Sequence, residues 1–152
     1  MAFQVFSSAF ADGAWIPDLF TCQGADVSPS LEWMGEPKET HSFALIMDDP
    51  DAPVGIWNHW LLYDIGAQVR NLAQGFKAGG LGVSGKNSWG KPGYGGPCPP
   101  KGHGPHRYFF RLYALDVATL RLGADADRAQ IERAMKGHML GEAQSMGRFE
   151  RK

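Results

Sequence analysis

The stretch SFALIMD at residues 42–48 carries no polar residue between its two ends. A short apolar run of this kind predicts a strand that is buried on both faces. It leads directly into Asp49-Pro50-Asp51-Ala52-Pro53, where two prolines remove backbone donors and exclude helix. The sequence therefore predicts a buried strand that leaves the core as a rigid acidic loop.

Two longer strands are predicted after this one, each with a histidine at or near its start. The first is Trp57 to Ile65, with Leu61, Tyr63 and Ile65 following His59 at a spacing of two. From His106 to Asp116 the residues alternate, so that one predicted face holds His106, Tyr108, Phe110, Leu112 and Ala114. Shorter strands are predicted around Phe3 and Val5 and at Leu31-Glu32-Trp33, separated by an irregular loop over residues 11–30.

One helix is predicted near the end of the chain. Asp127 and Gln130 have the spacing of a capping box, and an apolar face follows at Ile131, Ala134, Met135 and His138. We expect this helix to continue, interrupted by Gly137 and Gly141, until Gly147 caps it. Strands followed by a helix predict a mainly β fold with a C-terminal α-helix. No linker or repeat divides residues 1–152, so one domain is predicted.

Composition bounds the function. The 152 residues contain 43% hydrophobic and 20% charged residues, which is typical of a soluble globular domain. The net charge of −1, with scattered lysine and arginine, argues against nucleic acid or a polybasic membrane patch as partner. No signal peptide or membrane span is predicted, which favours a cytoplasmic protein. Cys22 and Cys98 permit one bridge, but we expect two reduced thiols.

The histidines at the two strand starts predict a polar pocket. If the strands share a sheet, His59 and His106 open onto one mouth, next to the glycine-rich segment 95–104. Exposed backbone N–H groups of such a segment can bind an anion. Together with the Tyr108 hydroxyl, they would suit a phosphate-like or carboxylate group, and Asp49 and Asp51 would orient the imidazoles or accept an ammonium group. The simpler alternative is that these carboxylates only form local turn bonds.

Metal binding and nucleophilic catalysis are less well supported by the sequence than anion binding. His103 and His106 form an H-x-x-H pair near Cys98, but in a strand they would point to opposite faces, so no metal is predicted. There is no G-x-S-x-G elbow, and nothing assigns a base to Cys98. A hydrolase that uses His59 or His106 as general base, oriented by Asp49, remains the alternative to a binding protein. We read His41 as a surface residue and His138 as a helix-packing residue.

At these residues the chain resembles the phosphatidylethanolamine-binding protein family, in particular its short bacterial branch. The resemblance is carried by Asp49-Pro50-Asp51-Ala52-Pro53, His59-Trp60, and Gly96-Pro97-Cys98-Pro99-Pro100 running through His106-Arg107-Tyr108. It extends to Ile16-Pro17, Thr21-Cys22, Ser28-Pro29-Ser30-Leu31 and Gly137-His138, and so covers nearly the whole chain. The three motifs in this order are far more specific than any one alone.

The resemblance implies an antiparallel β-sandwich with an anion-binding pocket. Carried over position by position, it implies a pocket lined by Asp49, Asp51, His59, His106 and Tyr108, with Trp57 and Pro100 as walls. Members of the family are known as binders of phospholipid head groups and as regulators of kinase signalling, and bacterial members as homodimers. The implied function is therefore non-enzymatic and without cofactor: binding of a small phosphate-bearing ligand such as phosphoethanolamine, with a possible kinase partner.

Overall fold

The computed structural model describes residues 2–152 and consists of two antiparallel sheets and one α-helix. The elements are β1 (Gln4–Phe6), a short 3₁₀ helix (Asp18–Phe20), β2 (Leu31–Met34), β3 (Ser42–Asp49), β4 (Trp57–Gly66), β5 (Asn71–Leu72), β6 (Val83–Ser84), β7 (His106–Leu115), α1 (Arg128–Met135) and β8 (Met139–Phe149). The larger sheet has the strand order β6-β4-β3-β7-β8, and the smaller sheet has the order β1-β2-β5. The predicted mainly β architecture is confirmed.

Strand β3 lies at the centre of the larger sheet, between β4 and β7, and all eight of its residues are buried. Phe43, Leu45 and Met47 belong to the core between the two sheets. Ala44 and Ile46 belong to a second core on the other side, under α1. Both faces of β3 are therefore covered, which explains why its sequence is an unbroken apolar run rather than an alternating one.

The helix begins as predicted, but it ends much earlier than the predicted cap at Gly147. The Asp127 side chain accepts from the Gln130 backbone N–H at 2.9 Å, and the Gln130 side chain accepts from the Asp127 N–H at 2.9 Å, so the capping box is formed. The expected continuation to Gly147 is wrong, because the chain turns at Gly137 (φ +84°) and returns as β8 along β7.

Two residues illustrate why the end of the chain is a strand. A Cβ on Gly147 would meet the Ile16 side chain at 2.5 Å, so this glycine allows close packing between β8 and the N-terminal loop instead of capping a helix. His138 lies beyond the helix, half exposed, with Nδ1 at 2.8 Å from Asp116 Oδ1. The prediction that it packs within the helix is wrong. Pairing with β7 outweighed the local helical pattern in this segment.

The two cysteines form a disulfide, with their Cα atoms 5.4 Å apart. The expectation of two reduced thiols is therefore wrong. The two cysteines are 76 residues apart in the sequence, but the loop after the 3₁₀ helix packs against residues 95–100 in the folded chain. Beside the disulfide, the Cys22 N–H donates to the Pro97 carbonyl at 3.1 Å. We call residues 95–100 the wall segment.

Within residues 2–152, no helix is long and apolar enough to cross a membrane.

Replacing both Cys22 and Cys98 by serine is expected to lower the free energy of unfolding by about 2–4 kcal/mol, because the bridge closes a long loop. Urea denaturation measures this difference. Adding a reductant should lower the stability of the wild-type protein to that of the double variant and leave the variant unchanged. Equal stability of oxidised wild type and variant would contradict the prediction.

Candidate functional site

The end of β3 and the starts of β4 and β7 meet at one edge of the larger sheet. Asp49 pairs with Trp57 of β4, and the neighbouring residue Asp48 pairs with Phe109 of β7. A cavity of about 210 Å³ opens there. Six of the seven residues proposed as ligand-binding from the sequence line it: Asp49, Trp57, His59, Pro100, His106 and Tyr108.

Asp51 is the one residue of that set that does not line the cavity. Its carboxylate accepts from the Arg107 backbone N–H at 2.9 Å and from the Arg107 guanidinium at 2.9 and 3.0 Å. These hydrogen bonds hold the pKa of Asp51 below its usual value. Asp49 and Asp51 point different ways because the chain turns at Pro50 and Asp51 instead of staying extended. Asp51 ties the acidic loop to β7.

A β-bulge aims His59 into the cavity. In the pairing of β3 with β4, Met47 lies opposite Trp60 while Asp48 lies opposite Asn58, so His59 is the extra residue. His59 therefore lies on the same side as Trp60, facing the core between the sheets, whereas Leu61 faces the helix. His59 and Leu61 are two residues apart and would share a face of a regular strand, and that expectation is wrong because of the bulge. Strict alternation would have turned His59 away from Tyr108.

His59 presents one free ring nitrogen. It is 3% exposed, and its Nδ1 lies 2.7 Å from the Gly95 carbonyl oxygen, so Nδ1 carries the proton and donates. Nε2 has no hydrogen-bond partner among residues 2–152 and keeps its lone pair. Burial lowers the pKa of His59 because it deprives the imidazolium of water, against the opposing effect of Asp49. The ring is therefore a neutral acceptor at pH 7.

His106 is paired at both ring nitrogens. Nδ1 lies 2.7 Å from Asp49 Oδ2, and Nε2 lies 2.6 Å from Nδ1 of His103. With His106 donating from Nδ1 to the carboxylate, its Nε2 accepts from His103. His103 folds back from the turn before β7 to make this contact. Among the described residues, no group of three or more His, Cys, Asp or Glu side chains is arranged to hold a metal ion.

Tyr108 supplies a buried hydroxyl donor at the cavity. Its side chain is fully buried, and its hydroxyl has no hydrogen-bond partner in the part of the chain that the structure describes. Burial raises the pKa of Tyr108, and the nearby Asp49 carboxylate raises it further through its charge and its proximity to the hydroxyl, so the hydroxyl keeps its proton. The Asp49 carboxylate lies close to this hydroxyl without forming a hydrogen bond of acceptable geometry. The ring packs edge-on against His59, with centroids 5.2 Å apart. An unsatisfied hydroxyl in such a place requires an explanation.

Trp89 belongs to the site although no sequence pattern predicted it there. Its indole packs edge-on against His59 and Trp57, with centroids 5.0 and 5.5 Å apart, and lines the cavity. It is held there by Asn87, whose Oδ1 accepts from the Trp89 backbone N–H at 3.0 Å. The sequence signals a turn at this point, but not that the turn covers His59. Cys98 and Pro99 of the wall segment and residues 52–54 also line the cavity.

Known proteins resemble this chain over nearly its whole length. A family model described as "Phosphatidylethanolamine-binding protein" matches residues 6–150. A protein of Aquifex aeolicus named "UPF0098 protein" is 47% identical over 152 residues, covering 97% of this chain and 88% of that protein.

Two solved structures are similar along their full length. A phosphatidylethanolamine-binding protein homolog from Chlamydia trachomatis has a TM-score of 0.92 and 40% identity, and the match covers 99% of each chain. E. coli YbcL, described as a new member of the mammalian PEBP family, has a TM-score of 0.93 and 33% identity, and the match covers 100% of each chain.

The lowered pKa of His59 predicts acid-sensitive stability. Below about pH 6.5 the unfolded chain binds a proton on His59 that the folded protein takes up only at lower pH. The free energy of unfolding should therefore have its full value above that pH and decrease as the pH falls below it. His59→Asn, whose amide can still donate to Gly95, should show a weaker decrease in denaturant titrations from pH 7 to 5.

The matched control is His41→Asn, because His41 is exposed. It should retain the wild-type pH dependence. Identical pH dependence of wild type and His59→Asn would contradict the prediction.

Proposed function

The chain belongs to the phosphatidylethanolamine-binding protein family, and from that membership we propose that it binds a small phosphate-bearing head group, such as phosphoethanolamine, in the cavity between Asp49, His59 and Tyr108. The observation that carries the proposal is the pairing of a free acceptor with a free donor. His59 Nε2 and the Tyr108 hydroxyl both lack partners and both belong to side chains that line the cavity. A ligand that satisfies both must accept one hydrogen bond and donate another.

A phosphate monoester with a single negative charge has this combination. Its P–OH group donates to His59 Nε2, and an unprotonated oxygen accepts from Tyr108. The second pKa of such a phosphate is about 6, so the form with the required proton is about half of the total at pH 6 and about a tenth at pH 7. A proton on His59 instead of on the phosphate would give the same total charge, with the hydrogen bond reversed. Either arrangement supports binding with one shared proton.

The charge of Asp49 does not prevent anion binding in this arrangement. Its carboxylate already accepts from His106 at 2.7 Å and from the Asp51 backbone N–H at 2.8 Å, so two hydrogen bonds stabilise its negative charge and leave His59 and Tyr108 to meet the ligand. The cavity of about 210 Å³ is smaller than a typical drug-binding pocket, which favours a head group over a larger molecule.

We propose that binding is not followed by chemistry. Cys98, the one thiol position that lines the cavity, is held in the disulfide, and both ring nitrogens of His106 are engaged. Among the described residues that line the cavity, His59 Nε2 is the free base that a hydrolase would have to use. Turnover of a phosphate ester that is lost in His59→Asn would favour the hydrolase instead.

The homodimer and the kinase partner implied by the family resemblance remain proposals. Light scattering coupled to size-exclusion chromatography tests the dimer. The cytoplasmic location is also a proposal, and the disulfide removes one of its supports, because disulfides persist chiefly in oxidising compartments. Alkylation of free thiols in intact cells tests it, since modification of both cysteines would indicate a reducing compartment.

Tyr108→Phe is expected to separate stability from binding. Removing an unsatisfied buried hydroxyl should leave the ligand-free protein equally stable or about 1 kcal/mol more stable. The same change should abolish most of the thermal stabilisation by phosphoethanolamine, which differential scanning fluorimetry measures over a ligand titration.

The matched control is Tyr63→Phe, because the Tyr63 hydroxyl donates to the Gly123 carbonyl far from the cavity. It should cost about 1 kcal/mol of stability and leave the response to ligand intact. A Tyr108→Phe protein that responds to phosphoethanolamine like wild type would refute the assigned donor.

Affinity for phosphoethanolamine should weaken by roughly tenfold or more between pH 6 and pH 8, because the shared proton is lost over this range. Isothermal titration calorimetry in two buffers measures both the affinity and the proton uptake. Ethanolamine O-sulfate is the control ligand: its sulfate has no titratable proton near neutral pH and cannot donate to neutral His59, so it should bind more weakly than phosphoethanolamine at pH 6. Affinity for phosphoethanolamine that rises with pH would exclude this mode of binding.

A further inference from the structure

One peptide unit joins His59 to a carboxylate that does not line the 210 Å³ cavity. The Gly95 carbonyl accepts from His59 Nδ1 at 2.7 Å, and the Gly96 N–H donates to Asp26 Oδ1 at 2.8 Å. The Gly95 carbonyl and the Gly96 N–H belong to the same peptide bond. Asp26 and His59 thus lie at the two ends of a continuous hydrogen-bonded chain that runs through this bond.

We propose that Asp26 is a positioning residue for His59: through the Gly95–Gly96 peptide it fixes the carbonyl that keeps the His59 proton on Nδ1 and leaves Nε2 free for the ligand. The proposal rests on the proposed function, since a free Nε2 matters only if the cavity binds a ligand there. The chain of contacts itself does not depend on which ligand binds.

The backbone around this peptide is built to receive Asp26. A Cβ on Gly96 would lie 2.2 Å from Asp26 Oδ1 and 2.2 Å from the Phe20 carbonyl oxygen, so only glycine fits there. Asp26 itself has φ +59°, in the left-handed region that residues other than glycine, asparagine and aspartate seldom adopt. The restricted backbone at Gly96 and Asp26 thus places the Asp26 carboxylate oxygen at the Gly96 N–H.

Neighbouring contacts clamp the same two segments together. The Tyr94 hydroxyl donates to the Phe20 carbonyl at 2.6 Å, and the Cys22 N–H donates to the Pro97 carbonyl at 3.1 Å. The Cys22–Cys98 disulfide closes the other end of the wall segment. The wall segment is therefore held against the loop that carries Asp26 on both sides of the Gly95–Gly96 peptide, which prevents this peptide from rotating away from His59.

Polarisation of the peptide links charge to geometry. A carboxylate that accepts from an amide N–H increases the partial negative charge on the carbonyl oxygen of the same amide, which strengthens the hydrogen bond from Nδ1. His106 donates directly to the carboxylate of Asp49, whereas His59 is connected to the carboxylate of Asp26 through the Gly95–Gly96 peptide. The two imidazoles of the site are therefore supported in different ways.

Several groups face His59 and bear on its protonation. From β3 the carboxylate of Asp49 favours the imidazolium, and Asp49 is itself paired with His106 of β7. From β7, Tyr108 packs its neutral ring edge-on against His59. From the wall segment come two backbone contacts, with the charge of Asp26 behind them, and these oppose the effect of burial on the pKa of His59.

The test is nitrogen-15 NMR of the His59 imidazole in the ligand-free protein, which reports both its tautomer and its titration. Asp26→Asn keeps an oxygen for the Gly96 N–H and tolerates the left-handed backbone, but removes the charge. It is expected to retain the Nδ1–H tautomer and to titrate at a lower pH than wild type. Asp26→Ala is expected to lose the fixed tautomer and to bind inorganic phosphate roughly tenfold more weakly, as loss of a supporting residue does at metal-binding histidines.

The matched control is Asp18→Asn, the same change on an exposed carboxylate of the preceding 3₁₀ helix. It should leave the tautomer and titration of His59 unchanged. If Asp26→Asn titrates like wild type and Asp26→Ala keeps the Nδ1–H tautomer, the proposal is overturned. Because the NMR experiment uses no ligand, it decides the role of Asp26 even if phosphate fails to bind the wild-type protein.

Discussion

Burial of β3 on both faces is the constraint on which the rest of the structure depends. A strand covered on both sides cannot end in charged residues unless each of them finds a partner at once. Asp48 and Asp49 end β3 on opposite faces, and they are compensated differently. Asp48 accepts from Arg111 at 3.1 Å and from Arg128 at 2.7 Å on the helix side. Asp49 accepts from His106 on the side of the cavity.

Two adjacent residues thus make different kinds of contact. The arginine pairs of Asp48 connect β3 to β7 and to α1, so they close the helix onto the sheet. The imidazole pair of Asp49 orients His106 at the edge of the cavity instead. Next to it, Tyr108 is buried with an unpaired hydroxyl, which costs stability in the ligand-free protein.

Much of this arrangement could be predicted from the sequence, and particular residues show where prediction ended. The apolar run of β3, the histidines near the starts of β4 and β7 and the capping box of Asp127 are local patterns, and all three are present in the structure. The end of the helix was predicted wrongly because pairing of residues 139–149 with β7 is a long-range interaction that a periodicity of 3.6 cannot reveal. The disulfide was missed for a similar reason, since it depends on two loops that meet only in the folded chain.

The amino-acid sequence by itself determined the fold class, the family and six of the residues that line the cavity, because strand periodicity and motif order are written along the chain. Only the tertiary structure decided how those residues are used. A bulge in β4 turned His59 towards Tyr108, a turn at Pro50 sent Asp51 to Arg107, and packing of the wall segment placed Asp26 behind Gly96. Each of these depends on the direction of a side chain or a peptide, which is set by its partners across the sheet and not by its neighbours in sequence.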